Sequence, residues 1–212
     1  MKHVTISDGP FTPRQQAVLT AALDVLVQSG DSLTMTAVAR KASCSKETLY
    51  KWFGDREGLL TATVKWQAAK VRMPQLDRTN LSPASLRAGV EAFAHDLLTV
   101  LIGETSVALN RLALAHAGSD KTGLGAIVLE HGPLAIRRRF KPLLKAGRDA
   151  QLLRFASTED AYRTFFGLVV RDTQIRLLLG DETLKTTDVH AAAQAATEQF
   201  FALYGAISSA GQ

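Results

Sequence analysis

Apolar residues recur every three or four positions along most of this chain, and no stretch alternates strictly as a half-buried strand would. Over 13–29, Val18, Ala22, Val25 and Leu26 share one side of a helix, with Gly30 placed to end it. Thr34 to Ala42 reads as a short helix capped by Thr34, with Met35, Val38, Ala39 and Ala42 on its apolar side. Ser43-Cys44-Ser45 is a turn, and 45–53 is a third helix in which Leu49, Trp52 and Phe53 stand at i, i+3 and i+4. Gly54 ends it and Asp55 caps a fourth, which runs to Met73, is stopped by Pro74, and packs back through Leu59, Leu60, Thr63 and Trp66. After a linker over Pro74–Leu81, Ser82-Pro83 opens a helix with Leu86, Val90, Phe93, Leu97 and Leu101 inward. Thr105–Ala117 follows, then a break over Gly118–Gly123, then Leu124–His131 and Pro133–Ala146. Thr158–Leu179 is apolar on two faces, and the last helix, Asp188–Ile207, carries a seam spaced alternately by four and three. The predicted class is all-α, with about nine helices: a three-helix helix-turn-helix domain over 1–54, a connecting helix over 55–73 and a helical bundle over 74–212.

The third helix has two chemically different faces. Opposite Leu49, Trp52 and Phe53 stand Glu47, Tyr50 and Lys51, flanked by Lys46 and Thr48, and Ser45 is placed to cap the first turn. Two short helices joined by a tight turn form a helix-turn-helix, whose second helix enters the major groove of DNA. The expected DNA-contacting set is Thr34, Thr36, Ser45, Lys46, Glu47, Thr48, Tyr50, Lys51 and Arg56. Tyr50 and Lys51 would stand at the groove and Lys46 and Arg56 at phosphates, while Thr34 and Thr36 would donate to phosphate from the start of the second helix. The plainer reading of these positions is a solvated helix face, with Thr34 serving only as a cap.

The order Val18-Leu-Thr-Ala-Ala-Leu-Asp-Val-Leu26, Gly30, Val38-Ala-Arg-Lys-Ala42, Ser45-Lys-Glu-Thr-Leu-Tyr-Lys-Trp-Phe53 and Asp55-Arg-Glu-Gly-Leu-Leu60 resembles the N-terminal domain of the TetR family of repressors. Residues 152–180, with Phe165-Phe-Gly-Leu-Val-Val170 and Arg176-Leu-Leu-Leu-Gly180, are more loosely similar to the late helices of that family's regulatory domain. Two positions depart from the pattern. Ser43 stands where the family usually has glycine, which takes a left-handed backbone at little cost. Glu47 stands where a small residue is common, and a carboxylate there must accept from a cytosine amino group or point away from phosphate. The resemblance implies a homodimeric regulator that binds a palindromic operator and is released by a small-molecule effector.

Composition adjusts this picture only slightly. The chain has 212 residues, 46% of them hydrophobic, enough for one sizeable core or two smaller ones. Its net charge of +5 is uneven: residues 1–73 hold ten basic and six acidic side chains, and the remainder fifteen and fourteen. The excess sits with the helix-turn-helix, as phosphate attraction requires. A single cysteine, Cys44, excludes an internal disulfide framework and reads as a small packed residue rather than a redox switch. Apolar runs such as Leu97–Gly103 are too short to span a bilayer, so no membrane partner is expected. Residues 1–12 read as a loose arm without a hydrophobic signal core, which leaves the cytoplasm as the expected location.

The C-terminal half offers no catalytic signature. His95, His116 and His131 lie among acids, but no Glu-x-x-His pair is present, and there is no P-loop, nucleophile elbow or metal-ligand cysteine pair. Neither an enzyme, a metal nor a cofactor is expected. Arg137-Arg138-Arg139-Phe140-Lys141 reads as a solvated face over an inward Phe140. Phe93, Leu97, Leu112, Phe140, Phe166 and Val170 are candidate lining for an apolar ligand pocket, with Arg111 and His116 as polar anchors, although the same residues could simply fill a core. Phe165, Ile175, Ala193, Ala196, Phe200, Leu203 and Ile207 are the expected dimer seam. The competing class is a dimeric helical ligand- or protein-binding module without specific DNA binding.

Overall fold

Short polar side chains at helix starts set most element boundaries in the computed structural model, which describes residues 11–29, 33–77, 80–117, 123–186 and 188–206. Gly30, Ile207 and most of the break expected over Gly118–Gly123 lie outside the described residues. The chain forms two compact units, one from residues 1–70 and 103–134, the other from 71–102 and 135–212. The stretch 103–134, expected with the C-terminal bundle, therefore clusters with the helix-turn-helix.

The first unit contains α1 (Pro13–Ser29), α2 (Met35–Lys41), α3 (Lys46–Phe53), α4 (Arg56–Ala69), α6 (Glu104–Ala115) and α7 (Leu124–His131). The expected apolar stripe of α1 is buried, with Val18 and Ala22 fully so, and it meets Val38, Leu49, Phe53, Leu59 and Leu60 in one core. Leu109, Ala113, Ile127 and Val128 of α6 and α7 complete that core. The buried Gln67 amide donates to Ser106 Oγ at 2.9 Å, which satisfies two polar groups where α4 meets α6. Helix α4 ends at Ala69, short of the expected Met73, because the Lys70 N–H tightens onto Gln67 O.

The second unit contains α5 (Pro83–Ile102), α8 (Pro133–Asp149), α9 (Thr158–Val170), α10 (Thr173–Leu178) and α11 (Val189–Tyr204), with a short 3₁₀ turn over Thr183–Thr186. The expected helix over 158–179 is broken: Arg171 has φ 47°, and its N–H closes on Gly167 O, so α9 stops before α10 begins. Neither glycine nor proline marks that break. Helix α11 packs against both α5 and α9. Between them Phe93 stacks on Phe140 at 4.1 Å and Phe140 on Phe165 at 4.6 Å, while Phe200 meets Phe165 edge-on at 5.5 Å. All four rings are fully buried. Outside this core, Asp96 accepts from Arg72 at 2.8 and 3.0 Å and from the Arg72 backbone N–H at 3.1 Å. The Arg72 hydrogen bond holds the Asp96 carboxyl below its usual range.

Phe140 touches three other rings of this cluster, so Phe140→Ala should destabilise the second unit by about 3–5 kcal/mol. Urea denaturation followed by circular dichroism measures the loss.

Candidate nucleic-acid interface

Helix α3 is only eight residues long, too short to persist without tertiary support. Leu49 and Phe53 pin it to the first unit's core, and Trp52 is half-buried edge-on to Phe53 at 6.2 Å. Ser45 Oγ accepts from the Thr48 N–H at 3.2 Å, and the two hydroxyls lie 3.1 Å apart in a mutual hydrogen bond. Thr34 Oγ1 likewise accepts from the Ala37 N–H at 3.1 Å and caps α2. Ser45, Thr48 and Thr34 are thus committed first to helix termini. Thr36, Lys46, Glu47, Tyr50 and Lys51 remain exposed, Tyr50 to 51%. Hydrogen bonds from its own backbone N–H and from Ser45 keep the Glu47 carboxyl below its usual range, so it is ionised at neutral pH.

Arg56, expected at a phosphate, also makes a hydrogen bond inside the first unit. It is half-buried, and its Nε donates to Leu33 O at 2.9 Å, tying α4 to the segment before α2. Cys44 is half-buried against the core, as a small packing residue, and its N–H donates to Ala39 O at 3.0 Å.

The turn is held by a residue that pattern reading did not single out, Arg14. Ser43 has φ 48°, the left-handed region a glycine would enter freely. Arg14 Nη2, from the start of α1, donates to Ser43 O at 2.8 Å and Ala42 O at 3.0 Å. A cation thereby holds both carbonyls of a strained turn. After α3, Gly54 caps the helix and Asp55 Oδ1 accepts from the Gly58 N–H at 2.8 Å. A Cβ on Gly58 would fall 2.0 Å from Phe53 O, so the corner between α3 and α4 is closed to any side chain.

The candidate ligand residues do not converge within either unit. Arg111, Leu112 and His116 lie on or at the end of α6 in the first unit; Leu112 packs on the core, and His116 Nδ1 lies 2.8 Å from Leu112 O. Phe93, Leu97, Phe140, Phe166 and Val170 lie in the second unit, where Phe93 stacks directly on Phe140. The residues of the expected dimer seam divide by burial. Phe165, Ala193, Ala196 and Phe200 are shielded inside one chain, because that face of α11 is spent on α5 and α9. Ile175 and Leu203 are exposed, to 55% and 62%, and so is Leu179, to 81%. Ile207 lies outside the described residues. Among the described residues no cluster of His, Cys, Asp and Glu could hold a metal ion, and no single helix is long and apolar enough to cross a membrane.

Residues 18–63 match the N-terminal domain of bacterial regulatory proteins of the TetR family, and residues 88–206 match the C-terminal domain of AefR-like transcriptional repressors. A TetR transcriptional regulator from Agrobacterium tumefaciens is 46% identical, with a TM-score of 0.78 over 93% of this chain and 97% of that one. The chain belongs to the TetR family of transcriptional regulators. A putative TetR-family regulator from Mesorhizobium loti, 24% identical, shares the fold with a TM-score of 0.72 over 91% of this chain and 96% of that one. The flavonoid-responsive regulator FrrA is 25% identical, with a TM-score of 0.65 over 92% and 98%. No curated protein sequence matches significantly.

The chain is a transcriptional regulator whose residues 18–63 form the family's DNA-binding type of domain, and Arg14 fixes the turn before α3. Arg14→Ala should therefore weaken specific DNA binding by about 1 kcal/mol, roughly fivefold, while leaving the helical content unchanged. Adding Ser43→Gly should restore part of that loss, because glycine takes the turn's backbone without strain. Fluorescence anisotropy with labelled operator DNA compares the single and double variants.

Proposed function

We propose that this chain is a homodimeric, cytoplasmic repressor that reads a near-palindromic operator through α3 and leaves it when a small molecule binds. The observation that carries the reading is the division of α3, with Leu49 and Phe53 fully shielded while Lys46, Tyr50 and Lys51 face solvent on a helix capped at both ends. Tyr50 and Lys51 are the groove contacts and Lys46 the phosphate contact. Glu47, ionised at that surface, repels phosphate and so discriminates against any docking that brings it near the backbone. The match of residues 88–206 to a repressor C-terminal domain supports repression rather than activation, and a regulator rather than an enzyme. The effector is a mainly apolar small molecule, in keeping with a relative described as flavonoid-responsive. It acts by preferring the non-binding spacing of the two recognition helices, and operator affinity falls by no more than that preference.

One helix-turn-helix reads only a few base pairs, and a two-fold dimer doubles the contact. The apolar surface left exposed by Ile175, Leu179 and Leu203 is the face assigned to that dimer.

Tyr50→Ala and Lys51→Ala should each cost about 1–3 kcal/mol in operator affinity without altering the melting temperature. A gel shift at matched salt, against a scrambled competitor, is the measurement, and wild-type affinity in both variants would remove α3 from recognition. Ile175→Glu with Leu203→Glu should yield folded monomers in light scattering, since like charges would face each other across the two-fold. A folded dimer in that variant would place the interface elsewhere.

A further inference from the structure

The second unit carries a groove lined by three arginines, none of them among the residues assigned to DNA. Its walls are the first turns of α5, the turn after α8 and the end of α11. Leu153 and Gly205 form an isolated antiparallel bridge at this place, with the Arg154 N–H on Tyr204 O at 2.8 Å and the Ala206 N–H on Leu152 O at 3.0 Å. The groove holds about 1020 Å³ and opens to solvent, at the upper end of the volumes that small ligands occupy. Arg87, Arg148 and Arg154 all line it, and no aspartate or glutamate does.

Two of the three arginines are held in a way that leaves their hydrogen-bonding edges available. Arg87 Cζ lies 4.4 Å from the centre of the Phe201 ring, and Arg148 Cζ lies 5.5 Å from that of Phe155. Stacking uses the flat face of a guanidinium and spares the N–H fork, which suits carboxylate and phosphate oxygens. Arg148 has only a loose pairing with its sequence neighbour Asp149 at 3.9 Å, and among the described residues neither Arg87 nor Arg154 is paired with a carboxylate.

Two backbone features bring the walls together. A Cβ on Gly147 would lie 2.8 Å from Leu153 Cδ1 and 2.9 Å from Leu86 Cδ2, so glycine lets the turn after α8 close against α5. Gln151 occupies the left-handed position of that turn at φ 59°, where its N–H meets Arg148 O at 2.9 Å. A glycine would be cheaper there, and the glutamine adds a carboxamide to the groove wall.

We propose that this groove is a binding site for a small organic polyanion, a molecule with two or more carboxylate or phosphate groups, gripped by Arg87, Arg148 and Arg154. Three like charges lining one groove, with only the loose Asp149 pairing beside Arg148, repel one another, and a multiply charged anion relieves that repulsion while using each fork. The assignment stands independently of the repressor reading, because binding is measured without DNA.

The test is isothermal titration of the full chain, at low ionic strength, with citrate and separately with inorganic pyrophosphate. At least one should bind saturably, one molecule per chain, with a sub-millimolar Kd, and the preferred probe tells carboxylate from phosphate. Arg87→Gln with Arg154→Gln should weaken that binding about tenfold or more, and Arg87→Lys with Arg154→Lys should weaken it too, since lysine keeps the charge and loses the fork. Unchanged circular dichroism, melting temperature and operator affinity would show that both variants are folded. Absence of saturable binding of either probe to the wild-type chain, or wild-type affinity in either double variant, would overturn the proposal.

Discussion

The burial of Leu49 and Phe53 is the interaction on which this molecule's chemistry depends. Helix α3 spans eight residues, and an isolated helix of that length is not stable in water. Its two apolar pins tie its position to the core of the first unit, and through that core to α1, α2 and α4. Tyr50, the residue next to Leu49, is consequently held in solvent by the same contact that buries its neighbour. Recognition of DNA is thus purchased with packing energy, and the contacts that fix α3 need not themselves touch DNA. Arg14, Gly58 and Arg56 all belong to this supporting group: one clamps the turn before α3, one allows the close corner after it, and one anchors α4 to Leu33 O.

The same core extends beyond the three-helix motif. Leu109 and Ala113 of α6, and Ile127 and Val128 of α7, share it with α1 and α4, and the Gln67 to Ser106 hydrogen bond adds a buried polar link. A well-packed core does not deform continuously, so a displacement of α6 or α7 must be met by repacking against α1 and α4. Helix α4 starts at the Gly58 corner, where a backbone carbonyl of α3 comes within 2.0 Å of the position a Cβ would take. That corner has no slack. Helices α6 and α7 are thus linked to α3, by way of α1 and α4, through contacts inside one compact unit.

Local chemistry was the legible part of this sequence. The caps at Thr34, Ser45 and Asp55 each depend on one side chain and a backbone N–H a few residues away, and all three form. What depends on distant residues was hidden. The Arg14 clamp spans 28 and 29 residues, and its acceptors are backbone carbonyls, which carry no sequence identity. The seam of α11 was visible as a seam, but periodicity cannot tell a partner within the chain from one in a second copy; burial assigned Ala193, Ala196 and Phe200 to the chain's own α5 and α9. The aromatic residues proposed as pocket lining had the right chemistry, yet ring stacking at 4.1 Å makes Phe93 and Phe140 core. The break at Arg171 had no local signal at all, since the residue adopts a left-handed backbone without being glycine or asparagine.

Charge shows the same limit most clearly. Arg137-Arg138-Arg139-Phe140-Lys141 is the densest basic run in the chain, and it invites a reading as an anion-binding patch. In the folded unit Arg137 and Lys141 converge on Glu159 at 2.8 and 2.6 Å, Arg163 approaches the same carboxylate at 3.4 Å, and Phe140 turns inward. The Lys141 hydrogen bond, above all, holds the Glu159 carboxyl below its usual range, so this counter-charge persists at neutral pH. Arg87, Arg148 and Arg154, by contrast, are scattered over 68 positions and make no run. Folding brings them to one groove with aromatic rings behind two of them and no acid among the lining residues. The capacity to bind an anion follows from the difference between cations and counter-charges at one place in space, and the order of residues along the chain determines neither by itself.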